Sequence, residues 1–175
     1  SRSSAASDVY KRQGDAVLKT KKFIKDKFFL MLLPDDLIIK RNCSKDMILV
    51  HKKYNCSVMA SMNVKRNTVK RWGIYSKEKR INKNNFFIKD VVEKPEIKYA
   101  PSNSAVIGRY ILSKDIFKKL KNQKKGKGGE IHITDSIKRL IESGHKIIGH
   151  NFSGKYLDCG TMKGYIKSSM EISKL

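Results

Sequence analysis

The chain has 175 residues, which is enough for one domain with a buried core, and its 39% apolar content argues against disorder along the whole length. Its formal net charge of +23 is typical of proteins that bind polyanions. However, 31 of the 39 basic residues are lysines spread along the whole chain among many Ile and Asn residues, so we expect a bias towards A/T-rich codons rather than a nucleic-acid partner.

The first thirteen residues, SRSSAASDVYKRQ, show no hydrophobic period. Residues 3–13 resemble the in-frame translation of a transposase adapter used in sequencing libraries. We therefore expect residues 1–13 to be a disordered, non-native scar and residues 14–175 to form one partial domain whose natural sequence continues upstream. A natural flexible tail is the alternative.

The rest of the chain predicts strands that alternate with helices, as in a layered α/β sheet with mostly parallel strands. The apolar run FFLMLL at 28–33 predicts a central parallel strand covered on both faces. Ser113 and Thr134 are candidate helix N-caps. In chain order we predict a helix ending at 16–24, strands at 28–33 and 56–64 around a helix at 45–54, strands at 72–75, 86–92 and 104–112, a helix at 114–122, a Lys/Gly loop at 121–129, a helix from 134, a strand at 146–152 and a helix at 163–173.

Cysteine and histidine patterns indicate the compartment and the kind of metal site. The three cysteines, Cys43, Cys56 and Cys159, form no CxxC pair and leave an odd count, which predicts a reducing, cytoplasmic setting. The four histidines share no ligand spacing with each other or with the cysteines, so we expect no zinc site. The longest apolar run has six residues, and we expect no membrane span.

Polar groups follow three of the apolar segments directly: Asp35-Asp36, Glu93-Lys94 and Asp158. Ligands bind outside the carboxyl ends of strands in open α/β sheets, and carboxylates there suit Mg²⁺ while a lysine suits a phosphate. Each aspartate could instead only cap a turn, and Glu93-Lys94 could be an exposed ion pair of little energy. The residues alone thus predict an α/β domain with a candidate Mg²⁺-phosphate site.

Five motifs occur in an order that carries more information. They are LPDD at 33–36, VVEKP at 91–95, APSNSAVIGRYIL at 100–112, GEIHITDSI at 129–137 and LDCGT at 157–161. Together they resemble the sugar-1-phosphate nucleotidyltransferase family, and within it the bacterial UTP–glucose-1-phosphate uridylyltransferases. Cys159, the GRY at 108–110 and the ITDSI segment favour this branch over the related thymidylyltransferases.

The resemblance implies a Rossmann-like, mixed and mostly parallel sheet that lacks the family's N-terminal strand and its phosphate-binding glycine loop. It also implies UTP and glucose 1-phosphate as substrates, Mg²⁺ as cofactor and a homo-oligomer when complete. The implied roles, residue by residue, are metal binding by Asp35 and Asp158, sugar binding by Gly73, Glu93, Asn103 and Val106, phosphate binding by Lys94, and a position beside the uracil for Gly14.

The implied reaction converts UTP and glucose 1-phosphate into UDP-glucose and pyrophosphate. Because the glycine-rich loop has no counterpart in residues 1–13, we expect this chain by itself to be inactive and poorly soluble, with an apolar edge exposed at residues 28–33. The alternatives are another sugar-1-phosphate nucleotidyltransferase such as a thymidylyltransferase, a remnant that binds sugar phosphate without turnover, and, from a different class, a basic nucleic-acid-binding module.

Overall fold

A computed structural model describes residues 12–123 and 132–175. Most of the predicted N-terminal scar and most of the predicted Lys/Gly loop lie outside these residues. The helices are α1 (Arg12–Lys19), α2 (Cys43–Tyr54), α3 (Ile116–Lys121), α4 (Ile133–Glu142) and α5 (Met162–Ile172). The strands are β1 (Phe28–Leu32), β2 (Asp36–Ile39), β3 (Ser57–Asn63), β4 (Gly73–Arg80), β5 (Asn85–Glu93), β6 (Ser104–Ser113), β7 (Ile147–Asn151) and β8 (Lys155–Asp158).

Six strands form one sheet in the order β1-β6-β3-β7-β5-β4, and β2 pairs with β8 in a separate ribbon. The predicted mixed α/β architecture is confirmed. Among the described pairings, however, β3 with β7 is parallel and the others are antiparallel, so the prediction of mostly parallel strands is corrected for this part of the sheet. For one of these pairs the reason is local: a tight turn at 81–84 joins β4 directly to β5, and such a hairpin enforces antiparallel pairing.

Alternating side chains of β3 and β6 supply two cores on opposite faces of the sheet. Met59 packs in one cluster with α3 and α4, while Val58 and Ala60 pack in the other against Met47 of α2. This alternation follows from the two-residue period of a strand. The predicted burial of the strand at 56–64 is confirmed over Ser57–Ser61, while Met62 is half-buried and Asn63 is exposed.

The position of β1 differs from the prediction. It is the end strand of the described sheet and pairs antiparallel with β6, and the side chains of Leu30 and Leu32 are 40% and 49% exposed. Phe29 and Met31 pack on the core, so only alternate residues are covered. An unbroken apolar run predicts a strand but does not distinguish a central strand from an edge strand, and the exposed leucines form the apolar edge that was expected.

Both predicted N-caps are also corrected. Helix α3 begins after Asp115, while Ser113 ends β6 and bonds to Asp115 instead. Helix α4 begins at Ile133, so that Thr134 lies inside its first turn. Within the described residues, no helix has the length and hydrophobicity needed to cross a membrane.

Candidate active site

Two carboxylates meet where the β2–β8 ribbon ends. Asp36 and Asp158 are direct partners in this ribbon, and the backbone N–H of Cys159 donates to the carbonyl of Asp35 over 2.8 Å. These contacts place Asp35 and Asp158, the two predicted metal ligands, on one side of the ribbon end. The structure therefore brings together two residues that are 123 positions apart in the sequence.

Gly160 lies between these two carboxylates. A Cβ atom placed on Gly160 would lie 2.9 Å from Asp35 Oδ2 and 3.4 Å from Asp158 Oδ1. Its N–H donates to Asp158 Oδ1 over 3.0 Å, and the guanidinium of Arg71 bonds to the other oxygen, Oδ2, over 3.2 Å. The side chain of Asp158 is thus held in one orientation, and the glycine keeps the space beside Asp35 open.

This pair fits a hard divalent cation that takes few protein ligands. Asp35 is exposed and Asp158 is half-buried, so water or phosphate oxygens can reach both. No group of three or more His, Cys, Asp or Glu side chains suited to a metal occurs in the part of the chain that the structure describes. Mg²⁺ commonly binds through one or two carboxylates together with waters and substrate phosphates, which matches this donor set.

A second group of predicted residues converges where β4 begins and β5 ends. Gly73 and Glu93 are direct partners across these strands, and Val106 of β6 lies beside them. A Cβ placed on Gly73 would lie 3.1 Å from Val106 Cγ2, 3.2 Å from Glu93 Oε2 and 3.4 Å from Thr134 Cγ2. The missing side chain of Gly73 therefore lets a carboxylate, a valine and a threonine approach its backbone closely, and we refer to Gly73, Glu93, Val106 and Thr134 as the niche.

Lys94 directly follows this niche in an unusual backbone conformation. Its φ is +43°, in the left-handed region, although it precedes Pro95, and residues before proline favour extended conformations. Its N–H donates to the carbonyl of Trp72 over 3.0 Å, which holds the conformation. The ammonium is exposed, with no hydrogen bond or ion pair to any residue of 12–123 or 132–175. Strained residues of this kind cluster at functional sites.

Asn103 and Gly14 lie apart from these contacts. Asn103 is exposed, and its side chain accepts a 3.5 Å hydrogen bond from Arg66, which also bonds to the carbonyls of Ala100 and Ile97. Gly14 is buried within α1 rather than placed in a loop. Neither position has a described hydrogen bond to the niche, and both roles stay predictions.

The carboxylates of Asp35, Asp36 and Glu93 all act on the hydroxyl of Tyr110. Burial raises the pKa of the Tyr110 hydroxyl, and the negative charges of Asp36, Glu93 and Asp35 raise it further. The rings of Trp72 and Tyr156, 5.8 Å apart, also connect the start of β4 with β8. The ribbon end and the niche are therefore neighbours in the fold.

Sequence reasoning missed the role of Asp36. Its Oδ2 accepts a 2.7 Å hydrogen bond from Gly108 N–H, and its Oδ1 accepts one from Tyr156. Burial raises the pKa of Asp36, an effect that these two hydrogen bonds oppose. A Cβ on Gly108 would lie 2.4 Å from Asp36 Oδ2. The signal was present in the adjacent aspartates of LPDD and the glycine of GRY, but only the fold shows that they meet.

Thr134 was also missed as a member of the site. Its hydroxyl donates a 3.1 Å hydrogen bond to Glu93 Oε2, and the residue is only 6% exposed. Arg71, which pairs with Asp158, is a second addition. The ITDSI segment pointed to the first of these residues, but an N-cap was the simpler interpretation of its threonine.

Comparison with known proteins assigns this arrangement to a family. The sequence profile described as Nucleotidyl transferase matches residues 7–174. The chain belongs to the nucleotidyl transferase family. A UTP–glucose-1-phosphate uridylyltransferase of Pseudomonas aeruginosa is 37% identical over 161 residues, which cover 89% of this chain and 56% of that protein. The predicted resemblance is thereby confirmed.

Solved nucleotidyl transferase structures agree with this assignment. A UDP-glucose pyrophosphorylase matches with a TM-score of 0.88 and 38% identity in its apo form, covering 94% of this chain and 60% of that one. A pyrophosphorylase complexed with UDP-glucose matches with 0.87 and 40%, covering 94% and 63%. The nucleotidyltransferase type of fold is confirmed, and the chain spans about half the length of the curated relatives it matches.

Proposed function

We propose that this chain carries the sugar-phosphate side of an enzyme that transfers a uridylyl group from UTP to glucose 1-phosphate, releasing pyrophosphate. The observation that carries the proposal is the meeting of Gly73, Glu93 and Val106 in a niche beside the Asp35–Asp158 pair. The names of the relatives support the choice of uridylyl transfer and of UDP-glucose as the product.

The niche suits a sugar ring. Glu93 is half-buried at the wall, where its carboxylate can accept hydrogen bonds from sugar hydroxyls, and Gly73 allows the ring to approach the backbone. Val106 supplies an apolar surface for the carbon face of the ring. Asn103, at the start of β6, would extend the wall of the pocket.

The charged groups suit the phosphates. Lys94 carries an exposed ammonium directly after Glu93, which would put a positive charge near the phosphate at carbon 1 of a bound glucose. Asp35 and Asp158 would hold Mg²⁺, which when bound would neutralise charge on the phosphates of both substrates. The proposal also puts Gly14 beside the uracil of a bound UTP.

In the proposed reaction the protein mainly orients the two substrates and stabilises charge. An anionic phosphate oxygen of glucose 1-phosphate attacks the α-phosphorus of UTP in line, forming one P–O bond while the bond to pyrophosphate breaks. No general base is needed, because the attacking oxygen already carries negative charge. Glu93 and Gly73 orient the sugar, and Lys94 offsets the charge of its phosphate, so the contribution of these residues is positioning and electrostatic stabilisation.

The proposal extends to the setting of the complete protein. We place it in the cytoplasm as a homo-oligomer, with UTP and glucose 1-phosphate as its small-molecule partners. The compartment rests on the odd number of cysteines, and the structure shows Cys43, Cys56 and Cys159 as free thiols.

Titration of the purified chain with glucose 1-phosphate, followed by isothermal calorimetry, tests the proposal without a nucleotide. Glu93→Gln and Lys94→Ala should each weaken binding by about tenfold, because the first removes the charge that strengthens the hydrogen bonds of this acceptor and the second removes an ion pair with the phosphate. Lys89→Ala is the matched control, since Lys89 is an exposed lysine on the same strand. Equal losses in all three variants would contradict the assignment.

The choice of nucleotide needs a turnover assay with the complete gene product. Pyrophosphate release with UTP should exceed release with dTTP when glucose 1-phosphate is the acceptor. The reverse order would assign the chain to the thymidylyl branch.

A further inference from the structure

We propose that Thr134 is a positioning residue, which fixes the Glu93 carboxylate towards the sugar and thereby sets the preference among hexose 1-phosphates. This inference rests on the proposed function of the niche. It assigns a role to a side chain that the motif alone marks as a helix cap.

Both ends of the Thr134 side chain are engaged. Its hydroxyl donates to Glu93 Oε2 over 3.1 Å, while its methyl carbon Cγ2 faces the niche at Gly73, 3.4 Å from the Cβ position there. A threonine on a helix has few rotamers, and packing of the methyl group selects the one that aims the hydroxyl at the carboxylate. The direction of this hydrogen bond is therefore built into the core.

The helix that carries Thr134 is itself anchored at its first turn. Gln123 donates from Nε2 to the carbonyl of His132 over 3.0 Å and to Asp135 Oδ2 over 3.2 Å, and its Oε1 accepts from Ser136. Three hydrogen bonds from one amide thus hold the residues on both sides of Thr134. Further along α4, Lys138 pairs with Asp90 of β5 over 3.1 Å, which ties the helix to the strand that carries Glu93.

The hydrogen bond from Thr134 gives the two oxygens of the Glu93 carboxylate different roles. Oε2 is occupied by Thr134 and faces Gly73, so Oε1 is the oxygen left for a sugar hydroxyl. With the plane of its carboxylate fixed, Glu93 can bind a sugar with one arrangement of hydroxyls more tightly than its epimers. Without Thr134 the carboxylate can rotate, and the preference should weaken.

Thr134→Val tests this inference, because valine keeps the shape and removes the hydroxyl, and Thr134→Ser is the matched control that keeps the hydroxyl. Each purified chain is titrated with glucose, galactose and mannose 1-phosphate and with inorganic phosphate, and melting temperatures are measured alongside. We expect Thr134→Val to bind glucose 1-phosphate about tenfold more weakly, with a smaller ratio to its epimers, because a hydrogen bond to a charged group is lost. Its affinity for inorganic phosphate should be unchanged, and Thr134→Ser should restore the ratio.

The outcomes separate the two proposals. If the parent chain binds glucose 1-phosphate and Thr134→Val keeps both its affinity and its epimer ratio, the positioning role is wrong while the proposed function stands. If Thr134→Val weakens all ligands equally along with the melting temperature, Thr134 is only structural, and the inference is again overturned. A parent chain that binds no glucose 1-phosphate would overturn the proposed function and this inference with it.

Discussion

Replacement of Gly73 by alanine places a methyl group in the niche at known distances. The new Cβ would lie 3.1 Å from Val106 Cγ2 and 3.2 Å from Glu93 Oε2, a few tenths of an ångström inside the optimal separation of about 3.5–4.0 Å. Overpacking of this kind costs about 1–3 kcal/mol, while exchanging glycine for alanine within a strand regains about 0.5–1 kcal/mol. The net loss in the free energy of unfolding should be about 1 kcal/mol, which lowers the melting temperature by about 2–4 °C at this chain length.

The effect on binding should be larger than the effect on stability. The methyl group occupies space that the sugar would use and displaces the Glu93 carboxylate, so glucose 1-phosphate should bind about tenfold more weakly or worse. Calorimetric titration measures the affinity, and a thermal scan of the same sample measures the stability. Unchanged affinity in a folded Gly73→Ala chain would refute the argument that this niche receives the sugar.

Three further changes probe other parts of the structure. Gly149→Ala would place Cβ only 2.3 Å from Phe86 Cζ, so its free energy of urea unfolding should fall by about 3 kcal/mol, at the upper end for overpacking, and a change within the error of measurement would contradict the packing described. Gly160→Ala would displace the exposed Asp35 side chain. The affinity for Mn²⁺, measured by water-proton relaxation, should then fall about tenfold to a hundredfold, while the free energy of unfolding stays nearly unchanged. An unchanged affinity would argue against a metal at Asp35 and Asp158. Burial raises the pKa of Asp36 from its usual 3.8, so the folded chain holds this proton more tightly than the unfolded chain does. The free energy of unfolding of the parent should therefore fall relative to that of Asp36→Asn as the pH rises from about 4 through the raised pKa. A difference in the free energy of unfolding between the two chains that does not change with pH would refute this.

Element types were largely predictable, because apolar period and polar punctuation are local properties. The strands at 56–64, 86–92 and 104–112 each agree with the structure to within about one residue. The environment of an element depends on its neighbours, which the local pattern does not contain. The apolar run of β1 therefore predicted a strand correctly but placed it wrongly at the centre of the sheet.

The site could be predicted where a motif gave both the residue type and its place at a strand end. Asp35, Glu93 and Asp158 were named on that basis, and the structure brings Asp35 and Asp158 together at Gly160 and puts Glu93 beside Gly73. The roles of Thr134 and Asp36 were not predicted, because their hydrogen-bond partners, Glu93 and Gly108, lie 41 and 72 positions away in the sequence. Local rules assigned the first to a helix cap, and a fold was needed to show what each one contacts.

The left-handed backbone of Lys94 implies a conflict between stability and chemistry. A non-glycine residue in such a conformation costs on the order of 1–3 kcal/mol, and the proline that follows disfavours it further. Glycine at position 94 would relieve this strain and give a more stable fold, but it would remove the ammonium that we propose for the sugar phosphate. Engineering for heat resistance that ranks substitutions by stability alone would therefore choose this position early, at the expense of the proposed phosphate contact.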